Sequence, residues 1–167
     1  MKRAVVWLPI VALVAFVGLF TYGLARPKDD FVRSKMVGKV LPAFVLPPAI
    51  PGQAGVASTA IRGRAQLINI FASWCLPCQA EAPHLIALRQ RGVPIVGVAV
   101  KDSPAALQRF LKRNGNPFTS IGADDSGRVQ LLLGSSGVPE SYVIGRDGRI
   151  LYQHIGDIRA EDVPRIA

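Results

Sequence analysis

Two short apolar runs constrain this chain more than any other feature: QLINIFA at 66–72 and VPIVGVAV at 93–100. Both are rich in β-branched residues and lack a polar alternation, so each reads as a strand buried on both faces. The stretch between them, 75–91, carries helix formers with apolar side chains at Leu85, Ile86 and Leu88. Strand, helix and strand in so short a span form a βαβ unit with parallel strands. Ser103 before Pro104 is an N-cap with a first-turn proline; it opens a helix through AALQRFLKRN that Gly115 closes. GRVQLLLG supplies a shorter helix ending near Gly134, and ESYVIGRDGRILYQHIG reads as two strands around the RDG turn. The expected class is therefore α/β, a mixed central sheet with helices on both faces.

Ahead of this unit, Ala4 to Leu24 contains no charged residue. Such a run crosses a hydrocarbon core of roughly 30 Å as one helix. Lys2 and Arg3 precede it, and Asp29 and Asp30 follow Arg26 and Lys28, a bias that leaves the amino terminus in the cytoplasm and exports the rest. A cleaved secretory signal is the competing reading, with small residues at Gly23 to Ala25, but the run exceeds the roughly 7–15 residues of a signal core. The domain organisation expected is an anchor over 1–25, a polar linker over 26–36 and one domain over 37–167. The location expected is the inner membrane, single-pass, with that domain in the periplasm.

The formal charge is +9. Basic residues are dispersed along the sequence, with pairs such as Arg89/Arg91 and Lys112/Arg113 where helices should end. No basic run is interleaved with aromatics, so nucleic acid is not an expected partner. A solvated basic face, favouring solubility and nearness to anionic lipid, is the reading retained.

Both cysteines lie in NIFASWCLPCQAEAP. A bridge between Cys75 and Cys78 closes a very short loop and removes little entropy from the unfolded chain, so it would serve poorly as a clip. A closed zinc site needs four ligands, and the candidates beyond the cysteines are the separated His84 and His154, so no metal is expected. The redox reading accounts for every part. At a helix amino terminus the free N–H groups stabilise a thiolate, which makes Cys75 an exposed nucleophile. Cys78, one turn further in, resolves the mixed disulfide. Leu76 and Pro77 constrain the turn. Trp74 is either a recognition aromatic or a lid over the helix start. Neither residue type nor spacing calls for a cofactor.

The WCLPC motif after an apolar strand, with Pro83 five residues beyond the second cysteine, resembles thioredoxin. GVPE at Gly137 to Glu140, before the hairpin, resembles that family's loop with a proline beside the active-site disulfide. The residues themselves leave Pro139 open between cis and trans; the resemblance implies cis, with the backbone of Val138 pairing with an extended substrate segment. An uncharged N-terminal run, GKVLPAFVL at 38–46, NIFASWCLPCQAE, KD at 101–102, GNPF at 115–118, GVPESYVIGRDG and HIGD at 154–157 together resemble the cytochrome c maturation thioredoxins, CcmG or DsbE. The resemblance covers about residues 37–160. It implies a thioredoxin-like fold and a periplasmic reductase that keeps the haem-attachment cysteines of apocytochrome c, or those of a CcmH-like assembly protein, as thiols. It also implies recharging by a membrane carrier of the CcdA or DsbD type.

Asn69 stands where thioredoxin carries a buried acid that assists proton transfer at the second cysteine. Since Asn does not titrate, Glu81 and Glu140 become the acids that shape the thiols, Glu140 beside Pro139 being preferred. Glu81 reads alternatively as an ordinary first-turn helix residue. Lys101 and Asp102 either line the same rim or cap the next helix. Family members end in a longer helix than DIRAEDVPRIA offers, where Pro164 is expected to interrupt. Within the class, a broader exported reductase of the TlpA or ResA kind differs only in substrate. A Sco-type copper-delivery protein spaces its cysteines by three residues and adds a ligand histidine; a peroxiredoxin carries a Thr-containing loop absent here.

Overall fold

The computed structural model describes residues 2–25 and 36–167. The chain divides into a unit ending at Arg33 and a second from Ser34 to Ala167. In the first, Lys2–Ala25 form a helix, α1. Among the described residues, no helix is long and apolar enough to cross a membrane. Side chains at 1–6, 8, 10 and 23–35 lie outside the described residues, and with them part of the expected 4–24 span and nearly all of the 26–36 linker.

The second unit is built on the expected βαβ. β3 (Gln66–Phe71) and β4 (Ile95–Val100) are buried along their whole length and pair in parallel. That explains why their sequences are apolar without alternation. Two-residue strands β1 (Val45–Leu46) and β2 (Val56–Ala57) precede them and form their own small ladder. α2 (Leu76–Gln90) connects β3 to β4. α3 (Pro104–Asn114) starts at Ser103, whose hydroxyl accepts from the Ala106 N–H, and stops at Gly115 with φ 85°. β5 (Ser120–Asp124) pairs in parallel with β4, and α4 (Arg128–Leu132) follows it. β6 (Glu140–Ile144) runs antiparallel to β3, and β7 (Ile150–Ile155) antiparallel to β6. The sheet order is β5-β4-β3-β6-β7.

The sheet separates two cores. On one face Leu67, Phe71, Ile95, Ala99 and Ile121 pack against α2 and α3, and the short α5 (Val163–Ile166) completes that layer. On the other, Ile68, Ile70, Val96, Val98, Tyr142 and Ile144 are covered by α4 and by the largely non-helical stretch from Leu41 to Ile61. Helices thus dominate only one face, because the proline-rich stretch can cover a sheet but not form a helix.

Two further departures have local causes. β5 was not expected: Ser120, Gly122 and Asp124 give it no apolar run, and Gly122 is required because a Cβ there would lie 2.6 Å from Leu46 Cβ. The outer side of β5 is occupied by the 47–49 segment, through Ala49 N–H to Ile121 O (2.9 Å) and Ala123 N–H to Pro47 O (2.8 Å). Pro164 does not interrupt the last helix. It lies in the first turn of α5, where a missing N–H costs no intrahelical bond.

Candidate active site

β3 ends at Phe71 and the chain turns through Ala72, Ser73 and Trp74 into the N-terminus of α2, where Cys75 is the N-cap. Cys75 and Cys78 are joined as a disulfide, with Cα atoms 5.3 Å apart. The Cys78 N–H donates to Cys75 Sγ at 3.2 Å. A free N–H of the first helical turn therefore already points at the first sulfur, the arrangement that stabilises a thiolate there. The expectation of an exposed nucleophile needs correction in this oxidised form: Cys75 is 4% exposed and Cys78 1%. Both cysteines belong to the buried core cluster, against which Val138 packs. Access is marked instead by the neighbours Trp74 and Leu76, 61% and 74% exposed, and by the exposed Pro77 in the first turn.

Three loops at this end of the sheet are tied together. Lys101, the residue after β4, holds φ at 47°, unusual for a side-chain-bearing residue, and its carbonyl accepts the Trp74 indole N–H at 3.2 Å. Its own N–H donates to Asp124 O at 3.2 Å. The Asp102 carboxylate accepts from both the backbone N–H and the hydroxyl of Ser73, the latter at 2.7 Å. Lys101 and Asp102 therefore brace the segment before Cys75, and capping of α3 falls to Ser103.

Behind the disulfide lies an acid. Cys78, Glu81, Ala82 and Leu85 form the buried row of α2, so Glu81 sits one turn below Cys78 rather than on the helix surface. Its Oε1 accepts from Asn69 Nδ2 at 3.0 Å and its Oε2 from the Ile158 N–H at 3.1 Å. Burial pushes its pKa up from 4.5 to about 7; the hydrogen bonds from Asn69 and Ile158 oppose that rise and the Asp157 charge adds to it. Asn69 is fully buried, its amide also donating to Ser141 Oγ at 3.0 Å. Asn69 Oδ1 has no hydrogen-bond partner among the described residues.

The Val138–Pro139 bond is cis, and the Pro139 carbonyl accepts from Gly156 N–H at 3.0 Å. Glu140 does not share the face of Glu81. It alternates with Ser141, so its side chain enters the opposite core beside Tyr142, whereas Ser141 meets Asn69. There the carboxylate accepts from Ser136 N–H and hydroxyl (3.0 and 2.8 Å), Tyr142 hydroxyl (2.8 Å) and Gln153 Nε2 (3.1 Å). Of the two acids, the structure brings Glu81 to the cysteines and uses Glu140 to hold the 135–139 segment. Ser73, Ser141 and the Ile158 N–H belong to this constellation and had no sequence signal beyond strand alternation at Ser141. Among the described residues no group of three or more His, Cys, Asp or Glu side chains is placed to hold a metal ion.

Residues 36–167 match the Redoxin family. The chain belongs to the redoxin family. Along nearly its full length it is similar to thiol:disulfide interchange proteins. HelX of Rhodobacter capsulatus is 37% identical over 98% of this chain and 92% of its own. DsbE of Escherichia coli K12 is 34% identical over 95% and 88%. A thiol:disulfide interchange protein of the thioredoxin family from Chlorobium tepidum superposes with a TM-score of 0.62 at 26% identity, covering 76% of this chain and 92% of that one. The fold is thioredoxin-like, and this redoxin is a protein thiol-disulfide oxidoreductase.

Proposed function

We propose that this redoxin is an exported, membrane-tethered reductant in cytochrome c biogenesis, with Cys75 as nucleophile and Cys78 as resolving thiol. In the reduced protein the Cys75 thiolate attacks a partner disulfide. One sulfur of the partner leaves as a thiolate and takes a proton, and a mixed disulfide forms. Cys78 then gives its proton to the Glu81 carboxylate and attacks Cys75 Sγ; the second partner sulfur leaves, and the Cys75–Cys78 disulfide is restored. Two electrons pass to the partner. Trp74 and the Val138 backbone flank the sulfurs and receive an extended partner segment, while Pro77 and Asn69 fix the helix start and the acid.

The observation that carries this reading is Glu81: a buried acid poised near neutrality, one turn below the inner cysteine. The cytochrome assignment is supported by the family pattern in GVPESYVIGRDG and by similarity along nearly the whole chain to HelX and DsbE proteins. The substrate is accordingly an oxidised haem-attachment pair of apocytochrome c, or a cysteine pair on an assembly protein. Recharging falls to a membrane thiol carrier. Tethering through 4–24 is supported by the absence of charge there and by a match to HelX that extends over 98% of the chain.

The reduction potential tests direction. A value near roughly −270 mV supports a reductant, and one near roughly −120 mV makes the protein a disulfide donor and removes the reading. Specificity is tested with the C78S chain, which should trap a mixed disulfide with an oxidised peptide carrying two cysteines two residues apart followed by histidine. Equal trapping of an unrelated disulfide peptide would leave only a general exported reductase.

A further inference from the structure

The two ends of the sheet differ in charge. β3, β4 and β5 run toward the disulfide, so the opposite end collects the connection into β3, the C-termini of α2 and α3, and the β6–β7 turn. Arg62 and Arg64 lie on the connection, Arg146 and Arg149 on the turn, and Lys39 on the segment bonded to the first residue of β7, all exposed. The ends of α2 and α3 add the exposed Arg89, Arg91, Lys112 and Arg113. On these stretches the one carboxylate is Asp147, 3.5 Å from Arg149. Residues far apart in sequence are in direct contact here. Gly63 N–H donates to Arg146 O at 3.0 Å, the Arg62 side chain lies over Gly148, and Arg149 Nη1 donates to Gly38 O at 2.9 Å.

Helix dipoles account for cations at the ends of α2 and α3. They do not account for Lys39, Arg62, Arg64, Arg146 and Arg149, which lie on no helix. Crowding like charges with a single counter-charge, Asp147, among them destabilises the compact state through self-repulsion, and the cost is relieved when an anionic surface covers them. Guanidinium groups match phosphate geometry in particular.

We propose that this basic end is a docking face for an anionic lipid bilayer, the one that the chain's own N-terminal run reaches, so that the disulfide end projects from the surface. The inference rests on the tethered reading above. Two observations favour lipid over other polyanions. Near the start of the described part of the domain, Gly38 N–H to Ile150 O and Leu41 N–H to Gly148 O (both 2.8 Å) are made at this end, so residues 36–41 enter the domain at the basic face itself. Beside Lys39, Val37 and Val40 are 46% and 45% exposed, an apolar-basic mixture suited to a lipid interface, and among the described residues no exposed aromatic stands here to stack a base. Attraction of this kind reaches about a Debye length and is screened by salt.

Hydrogen exchange of the full chain in nanodiscs tests it, with phosphatidylcholine alone or with phosphatidylglycerol added. Segments 61–65 and 145–149 are expected to exchange severalfold more slowly with phosphatidylglycerol, and 72–76 equally in both. High salt or the R62E/R146E/R149E chain should abolish the slowing, and R62K/R146K/R149K should retain it. Exchange at 61–65 and 145–149 that ignores phosphatidylglycerol, in a chain that resists alkaline extraction, overturns the docking face and leaves the tether standing. A chain that alkali extracts from both lipids overturns the tether. Docking is then read from flotation: binding to phosphatidylglycerol vesicles but not to phosphatidylcholine supports it, and binding to neither overturns it.

Discussion

The Asn69 amide donates to the Glu81 carboxylate across 3.0 Å inside the fold, joining the centre of β3 to the helix that carries the cysteines. The pair fixes the acid's orientation, but it does not outweigh burial, which raises the Glu81 pKa to about 7. A carboxyl whose pKa rises on folding favours the folded state most fully below its unfolded value, near 4.5, and that contribution disappears as pH climbs through about 7. The rise corresponds to about 3 kcal/mol. We expect urea-unfolding stability of the oxidised protein to fall between pH 5 and 8, and the E81Q protein to be flatter over the same window by about 2 kcal/mol.

The same substitution bears on chemistry. If Glu81 accepts the Cys78 proton, E81Q slows resolution of a preformed mixed disulfide at pH 7.5 by about 100-fold or more. It also removes the inflexion near 7 from the pH profile of that step. An unchanged profile, read by stopped-flow release of a fluorescent peptide, rejects the base.

Glu140 supplies the contrast. Its carboxylate faces the other core and receives bonds from Ser136, Tyr142 and Gln153. E140A leaves those donors unpaired and should destabilise the protein by about 3 kcal/mol. It should leave the pH profile of the resolving step in place, while raising the KM for peptide through the loosened Ser136–Pro139 segment. Matched urea titrations and peptide kinetics check both.

Asp102 accepts two hydrogen bonds from Ser73. D102A should cost about 2 kcal/mol and free the turn that presents Trp74. Lower unfolding midpoints, with altered Trp74 fluorescence in a W7F background, are the expected result.

Gly122 meets the covering segment at contact distance. In G122A the new methyl would meet Leu46 Cβ at 2.6 Å and Val56 Cβ at 3.1 Å. Overpacking of this kind costs about 1–3 kcal/mol, and because L46G removes the Cβ that the new methyl meets, the combined variant should lose less than the sum of the two single losses. Thermal unfolding of the two variants and their combination checks it.

Legibility in the sequence followed burial. β3 and β4 are covered on both faces, so their composition alone marked them, and the Cys75 cap followed from their junction with α2. β5 escaped because its covering layer is a loop that requires glycine at 122. Glu81 lay on a readable row, Cys78 to Leu85, yet its burial depends on the Ile158 N–H, 77 residues away. Preference for Glu140 came from its adjacency to Pro139, but neighbours along a strand point to opposite faces. The basic end was invisible for a similar reason: its cations come from five separate connections that only the sheet topology brings together.

The segment lying along β5 has a further consequence. An unpaired sheet edge is a template onto which another chain adds a strand, and proteins concentrated on a surface meet such edges often. Here the edge strand β5 is already matched by Pro47–Ala49, and neither Pro47 nor Pro48 has an N–H to offer a newcomer. The pair of prolines works as a terminator: it satisfies the edge from within and presents almost nothing on which misassembly could grow.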